Sequence, residues 1–315
     1  MLIPLASVVL CTSAIVEADI ITKLFAAYKK KFHYDFGLDD DYRMKVFGDN
    51  LRYIDESNSK GLSYTLGITS FTHLTQAEFR DMMLMKPPSV KDGTASLRQP
   101  SESQDSAQFE RSLDDLPDSV NYVKRGWVTG VKDQMACGSC WTFSTTGAVE
   151  GAYMNATGEL VSFSEQQLVD CNTKNFSALT RGVIGSNPPI KLTICNSVLR
   201  GCKGGWMSTA FEYIGANGLE SEDVYPYTAD ENPCKANSTK NIIKPGELTY
   251  RNVTPNSKKA LLIALALYGP VSVTVDATGD VFQHYVSGVI NATDCDIRTN
   301  HAILVVGYDM NATVP

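Results

Sequence analysis

Gln134-Met135-Ala136-Cys137-Gly138-Ser139-Cys140-Trp141 is the stretch on which the rest of the chain has to be read. Cys140 stands at the start of a predicted helix running to Tyr153, with Phe143, Val149 and Tyr153 on its apolar side. A thiol is a poor nucleophile and its thiolate a good one. The first turn of a helix offers unpaired N–H groups and the positive end of the dipole, both of which favour an anion. Just upstream, the Gln134 amide can be aimed at a developing oxyanion, with the Cys140 backbone N–H as a second donor. A nucleophile of this kind needs a base, and His301 in Asn300-His301-Ala302 is the best candidate because it opens an apolar strand, a rigid support. His33, His73 and His284 have no such context. Taken singly, each residue has a plainer reading: a buried or disulfide-bonded cysteine, a structural histidine, a surface glutamine. The Cys137-x-x-Cys140 spacing also fits a redox pair or half a zinc site. No second Cys-x-x-Cys or His pair exists to complete a zinc site, and the flanks offer no thioredoxin-like βαβ frame.

The chain has 315 residues, room for a large core and about two domains. Its net charge of −7 argues against a nucleic-acid surface, and the one dense basic run, Lys29-Lys30-Lys31, sits in a helical pattern and reads as a solvated face. Residues 1–18 read as a secretory signal: Leu2 to Val16 is nearly all apolar and too short to span a bilayer, and Ala14 or Ala18 offers a small residue for cleavage. No later stretch is long and apolar enough to cross a membrane, so a soluble mature protein is expected. The 8 cysteines and the Asn-X-Ser/Thr sequons at Asn155, Asn175, Asn237, Asn252, Asn291 and Asn311 fit an oxidising, secretory route.

Residues 19–85 are helix-rich, with apolar residues at helical spacing through Leu24, Phe25, Tyr28 and Phe32 and again through Val46, Phe47, Leu51 and Ile54. An extended piece is expected near Ser63–Thr69, followed by a helix opened by Thr75-Gln76-Ala77-Glu78 with capping-box logic. Residues 87–114, with Pro87, Pro88, Gly93 and Pro100 among polar residues, read as an exposed, easily cut linker. Beyond Leu116 further helices are predicted after the Ser164 cap, over Met207 to Ile214 and over Lys258 to Leu267; Val271–Val275 and Ala302–Val306 read as strands. The class is α+β.

Cys137-Gly138-Ser139-Cys140-Trp141 resembles the signature of the papain and cathepsin cysteine proteases. Arg43, Phe47, Asn50, Ile54 and Asn58 fit the spaced propeptide motif of cathepsin L-like members, with Asp39 where the family usually has Glu. Gly67-x-Thr69-x-Phe71-x-His73 is similar to their second propeptide motif, with Thr69 and His73 in place of Asn and Asp. Leu116-Pro117-Asp118-Ser119-Val120 resembles a mature N-terminus. The resemblance covers nearly all of the chain after residue 18. It implies a papain-like two-lobe fold, with a helical left lobe and a β-barrel-like right lobe, preceded by a helical propeptide. The divisions would be a signal peptide at 1–18, an inhibitor propeptide at 19–85, a linker and activation region at 86–115, and a peptidase domain at 116–315.

The same resemblance implies Cys140 as nucleophile, His301 as base and Gln134 as oxyanion donor, with Trp141 packed behind the nucleophile. Gly204 and Gly205 would bind substrate backbone; Met207, Thr274 and Asn300 would border the pocket that sets specificity. Disulfides Cys137–Cys202 and Cys171–Cys234 are implied, and the first removes the redox reading of Cys137. No metal or organic cofactor is expected. The expected partners are polypeptide substrates and the chain's own propeptide, for a monomer in a lysosome-like compartment or outside the cell, with neither nucleic acid nor membrane. Two departures stand out. The family's Asn that orients the histidine, and the partner of Cys295, would fall past Pro315. Residues 180–199 match nothing in the family. Both lead to the expectation of an incomplete or misassembled gene model. An inactive, prodomain-bearing inhibitor is the alternative to an endopeptidase zymogen, and the intact Gln134, Cys140 and His301 count against it.

Overall fold

The computed structural model describes residues 5–85, 115–172, 200–291 and 299–312. The expected linker and the unmatched 180–199 segment lie outside these residues. The chain forms two compact units, one of residues up to Arg80 joined by the stretch that begins at Thr278, the other from Asp81 to Ala277 joined by the stretch that includes His301.

The first unit is built on helices α1 (Leu5–Phe32) and α2 (Asp40–Asn58). Their apolar positions meet in one cluster of Phe25, Tyr28 and Phe47, with Ile21, Phe32, Phe36 and Leu51 against it. α1 runs unbroken through Ala18, so the expected signal boundary falls inside a helix. The residues of the spaced motif lie along α2, and its polar members tie down the loop that follows. Asn50 donates to the carbonyls of Thr72 and Leu74 at 2.8 and 2.9 Å, and Asn58 exchanges two bonds with the Leu66 backbone. Arg43 grips both Glu78 oxygens at 2.9 Å. Glu78 also completes a capping box at the start of α3 (Gln76–Met83), accepting from Thr75 N while Thr75 Oγ1 accepts from Glu78 N. Strand β1 (Tyr64–Leu66) pairs antiparallel with β4 (Tyr285–Gly288), which follows the short helix α8 (Asp280–His284).

The second unit holds the remaining elements: β2 (Ser119–Asn121), α4 (Cys140–Thr157), α5 (Glu165–Cys171), α6 (Met207–Asn217), α7 (Lys258–Tyr268), β3 (Val271–Val275), β5 (His301–Val305) and β6 (Gly307–Asp309). α5 begins where the Ser164 hydroxyl accepts from Gln167 N at 2.9 Å, the cap that the sequence predicts. Among the described residues the strands pair two by two, β3 with β5 and β2 with β6 here, so the barrel-like part is represented by short ladders. One core joins α4, α5 and α6: Trp141, Val149, Phe163, Leu168, Ala210 and Ile214 are all buried in it. Disulfides link Cys137 to Cys202 and Cys171 to Cys234, while Cys140 is free and buried.

Two histidines of the first unit carry a pH dependence. His73 is buried against Tyr34 and Phe36, with ring centroids at 4.6 and 4.9 Å, and its Nδ1 lies 2.7 Å from the Tyr28 hydroxyl. Burial, reinforced by the Arg43 charge, pushes it down to about 4. His284, also buried, is pushed down to about 4 by burial alone. Both are therefore neutral in the fold and titrate near 6.5 when it opens, so their contribution is full above about 6.5 and is lost as pH falls toward 4. Acid should thus loosen this unit by on the order of 1–2 kcal/mol per histidine. Urea midpoints at pH 7 and 4.5, compared between the wild-type chain and His73→Phe, test this: the substitution should flatten the fall.

Candidate active site

The site is assembled where α4 meets the β3–β5 ladder. Cys140 is the first residue of α4 and His301 the first of β5, paired across the ladder with Val275. The Cys140 sulfur accepts a hydrogen bond from Ala302 N at 3.4 Å, which sets the thiol beside the residue that follows His301. Upstream, the Cys137–Cys202 disulfide and the Gly138 N to Cys202 O bond of 2.9 Å anchor the approach to the helix.

Gln134 reaches the same place through a loop held by polar groups. Tyr227 donates to Gln134 O at 2.8 Å and shares a 2.6 Å bond with the Ser139 hydroxyl. Lys132 enters the interior and pairs with two buried carboxylates, Glu150 at 2.8 Å and Glu165 at 2.6 Å. Burial pushes Glu165 up to about 7, against the pull of the Lys132 ammonium. Thr129 and Thr146 supply further donors to these carboxylates. None of Lys132, Glu150, Glu165 or Tyr227 stands out in the sequence. A buried charge is visible only once its partners are known, and these are scattered from 132 to 227.

The cleft residues fall as follows. Gly204, with φ at +105°, has the backbone conformation that side chains resist, and a Cβ there would meet Met85 at 3.2 Å. Gly205 rests on the indole of Trp141, where a Cβ would come within 2.5 Å. Trp141 itself is 1% exposed and donates its indole N–H to Gly201 O. It lies in the core directly beneath Gly205. Asn300 donates its N–H to Val275 O and accepts from Ala277 N through its side chain, which fixes the turn into β5. Met207 begins α6, and Thr274 faces Ala302 across the β3–β5 ladder.

The chain's own residues 83–85 cover this site. Met83 O accepts from Gln134 Nε2 at 3.0 Å, and Met85 N donates to Asn300 O at 2.8 Å. Met85 is buried in one cluster with Cys140, Trp141 and Ala302. Burial then dominates the titration. The Cys140 thiol is pushed up to about 11, although the N–H groups of Ala302 and Trp141 favour its thiolate. The imidazole of His301 is pushed down to about 4 by burial. The sequence predicts a depressed thiol at a helix start; with the site covered, loss of water outweighs the helix end. His301 Nδ1 is buried without a hydrogen-bond partner among the described residues.

Residues 116–315 match the model of the papain family cysteine proteases. The chain belongs to that family. Residues 25–79 match the cathepsin propeptide inhibitor domain. A probable cysteine protease of Arabidopsis thaliana is 41% identical over 89% of this chain and 53% of its own length, so the chain spans about half of that relative. Cathepsin L of Sarcophaga peregrina is 34% identical over 98% of this chain and 85% of its own. Among solved structures, a digestive procathepsin L 3 from the larval midgut of Tenebrio molitor matches with a TM-score of 0.71 at 29% identity, over 92% of this chain and 84% of its own. A recombinant stem bromelain precursor matches at 0.72 and 31%, over 92% and 82%. The fold is therefore the papain-like α+β fold of these proforms, and no helix among the described residues is long and apolar enough to cross a membrane.

A covered, neutral thiol should react slowly. Iodoacetamide should alkylate Cys140 of the intact chain at pH 7 at least about 10-fold more slowly than in Met85→Ala, whose shortened side chain readmits water to the sulfur. Equal rates, read by mass spectrometry of the Cys140 peptide, would show that Met85 does not shield it.

Proposed function

We propose that the chain is a cysteine endopeptidase made as a self-inhibited zymogen. The observation that carries this reading is the placing of Cys140, Gln134 and Ala302 around one cleft, with residues 83–85 laid over it. In the uncovered site the Cys140 thiolate attacks a peptide carbonyl carbon. The oxyanion is held by Gln134 Nε2 and the Cys140 N–H. His301 gives its proton to the leaving amine, the C–N bond breaks, and an acyl-thioester remains. Water, deprotonated by His301, then releases the acid and restores the thiol.

The proposed inhibition uses the same donors as the chemistry. The Gln134 amide that the reading gives to the oxyanion now donates to Met83 O. A backbone carbonyl in that position occupies the donor. Cutting within residues 86–115 would free the cover, and the acid sensitivity of His73 and His284 favours its release at low pH. The resemblance that puts Met207 and Thr274 at the pocket setting specificity supports a preference for hydrophobic side chains over Arg at the neighbouring subsite. Passage through the secretory pathway as a monomer completes the reading, supported by the disulfides.

Acid-incubated full chain should hydrolyse a fluorogenic peptide carrying Leu faster than one carrying Arg at that subsite. Cys140→Ser should abolish turnover, and Gln134→Ala should lower kcat by about 10²–10³. A chain that binds a mature relative tightly and cleaves nothing would favour the inhibitor alternative.

A further inference from the structure

The hydroxyls along α4 divide into two kinds. Thr142, Thr145 and Thr157 each donate back to a carbonyl of their own chain three or four residues earlier, the usual habit of such residues in a helix. Ser144 does not. Its Oγ leaves the helix and donates to Ile303 O on β5 at 2.8 Å. Its own carbonyl, already placed for the helix ladder, accepts a second bond from Ser272 Oγ on β3 at 2.6 Å. Ser144 is 2% exposed, so water does not compete for these bonds.

We propose that Ser144 and Ser272 are positioning residues, a two-hydroxyl clasp that fixes the helix bearing Cys140 against the strand bearing His301. The inference rests on the Cys140–His301 reading above. Ser144 follows Cys140 by one helical turn on the same face, and Ile303 follows His301 by two residues, on the same side of the strand. The clasp therefore acts one turn and one strand repeat away from the reacting atoms. The face continues through Gly147 and Gly151, where a Cβ would come within 2.7 Å of Leu304 and 2.5 Å of Pro270. Small residues let the ladder approach, and the two hydroxyls set where along the helix it comes to rest. Van der Waals packing alone defines that position poorly, because a glycine face is smooth. Hydrogen bonds to one carbonyl on each side are directional.

A misplaced donor–acceptor geometry of this kind costs rate and alters the thiol–imidazole titration without touching substrate affinity. The test uses the acid-incubated full chain and follows the pH dependence of iodoacetamide alkylation at Cys140, with peptide hydrolysis measured beside it. Wild type should show an acid limb that His301→Ala removes. Ser144→Ala and Ser272→Ala should shift that limb by at least half a pH unit and lower kcat by about 10-fold with KM unchanged, and Ser272→Thr, which keeps the hydroxyl, should restore both. Variants that lose thermal stability while keeping the wild-type limb and kcat would overturn the clasp and leave the protease reading standing. A limb that shifts in a chain that hydrolyses no peptide would support the clasp and remove the protease reading. A wild-type profile with no limb dependent on His301 would overturn both.

Discussion

The contact on which the site depends is the close approach of α4 to the β3–β5 ladder, with Ala302 N 3.4 Å from the Cys140 sulfur. A helix N-terminus and the first residue of a strand, far apart in the chain, are brought there from two directions. The sequence supplies the means on both sides. Apolar strand residues build the ladder, Gly147 and Gly151 clear the helix face, and the Cys137–Cys202 disulfide holds the turn before Cys140. A long closed loop of this kind restricts the unfolded chain and so favours the anchored turn.

The loop bearing Gln134 is organised differently, by charge rather than packing. Lys132 faces Glu150 and Glu165, two carboxylates of which both are nearly fully buried. Buried ions are costly unless every lone pair is met. Here Thr129, Thr146 and the Phe163 N–H meet most of them, although Glu165 Oε2 remains without a partner. Such a cluster adds little net stability over an apolar one, yet it is directional, and direction is what a donor aimed at an oxyanion requires. The backbone of Gln134 is fixed by Tyr227 beside that cluster, and its amide is held by Cys137 O at 2.8 Å.

Helix periodicity made most of the framework legible. The patterns through Phe25, Tyr28 and Phe47, the Thr75 and Ser164 caps, the alternating run at 271–275 and the apolar run at 302–306 correspond to elements of the structure because each is decided locally. Pairings decided at a distance were not legible. β1 with β4 joins residues 64–66 to 285–288, and three-residue strands carry no period to read. The same holds for Ser144 and Ser272, ordinary residues until their partners are known. At Cys140 the helix end is visible in sequence, whereas the burial that opposes it in the covered state depends on Met85, 55 residues upstream.

In the proposed zymogen that covering segment would link inhibition to chemistry in two ways, by excluding water and by occupying the Gln134 amide. With Met85 in place, the sulfur and the imidazole are both held neutral because neither charge is solvated. Removing residues 83–85 withdraws Met83 O from the Gln134 amide and readmits water in one event. The thiol then moves down and the imidazole up, each toward its ordinary value, and the helix end and the N–H of Ala302 can act on a thiolate they previously failed to stabilise. The two shifts run in opposite directions from a single cause, which is the condition for an ion pair to appear between them. No conformational change within α4 or β5 is needed for this. On the proposed reading, such a site can fold with its charges withheld until the cover leaves.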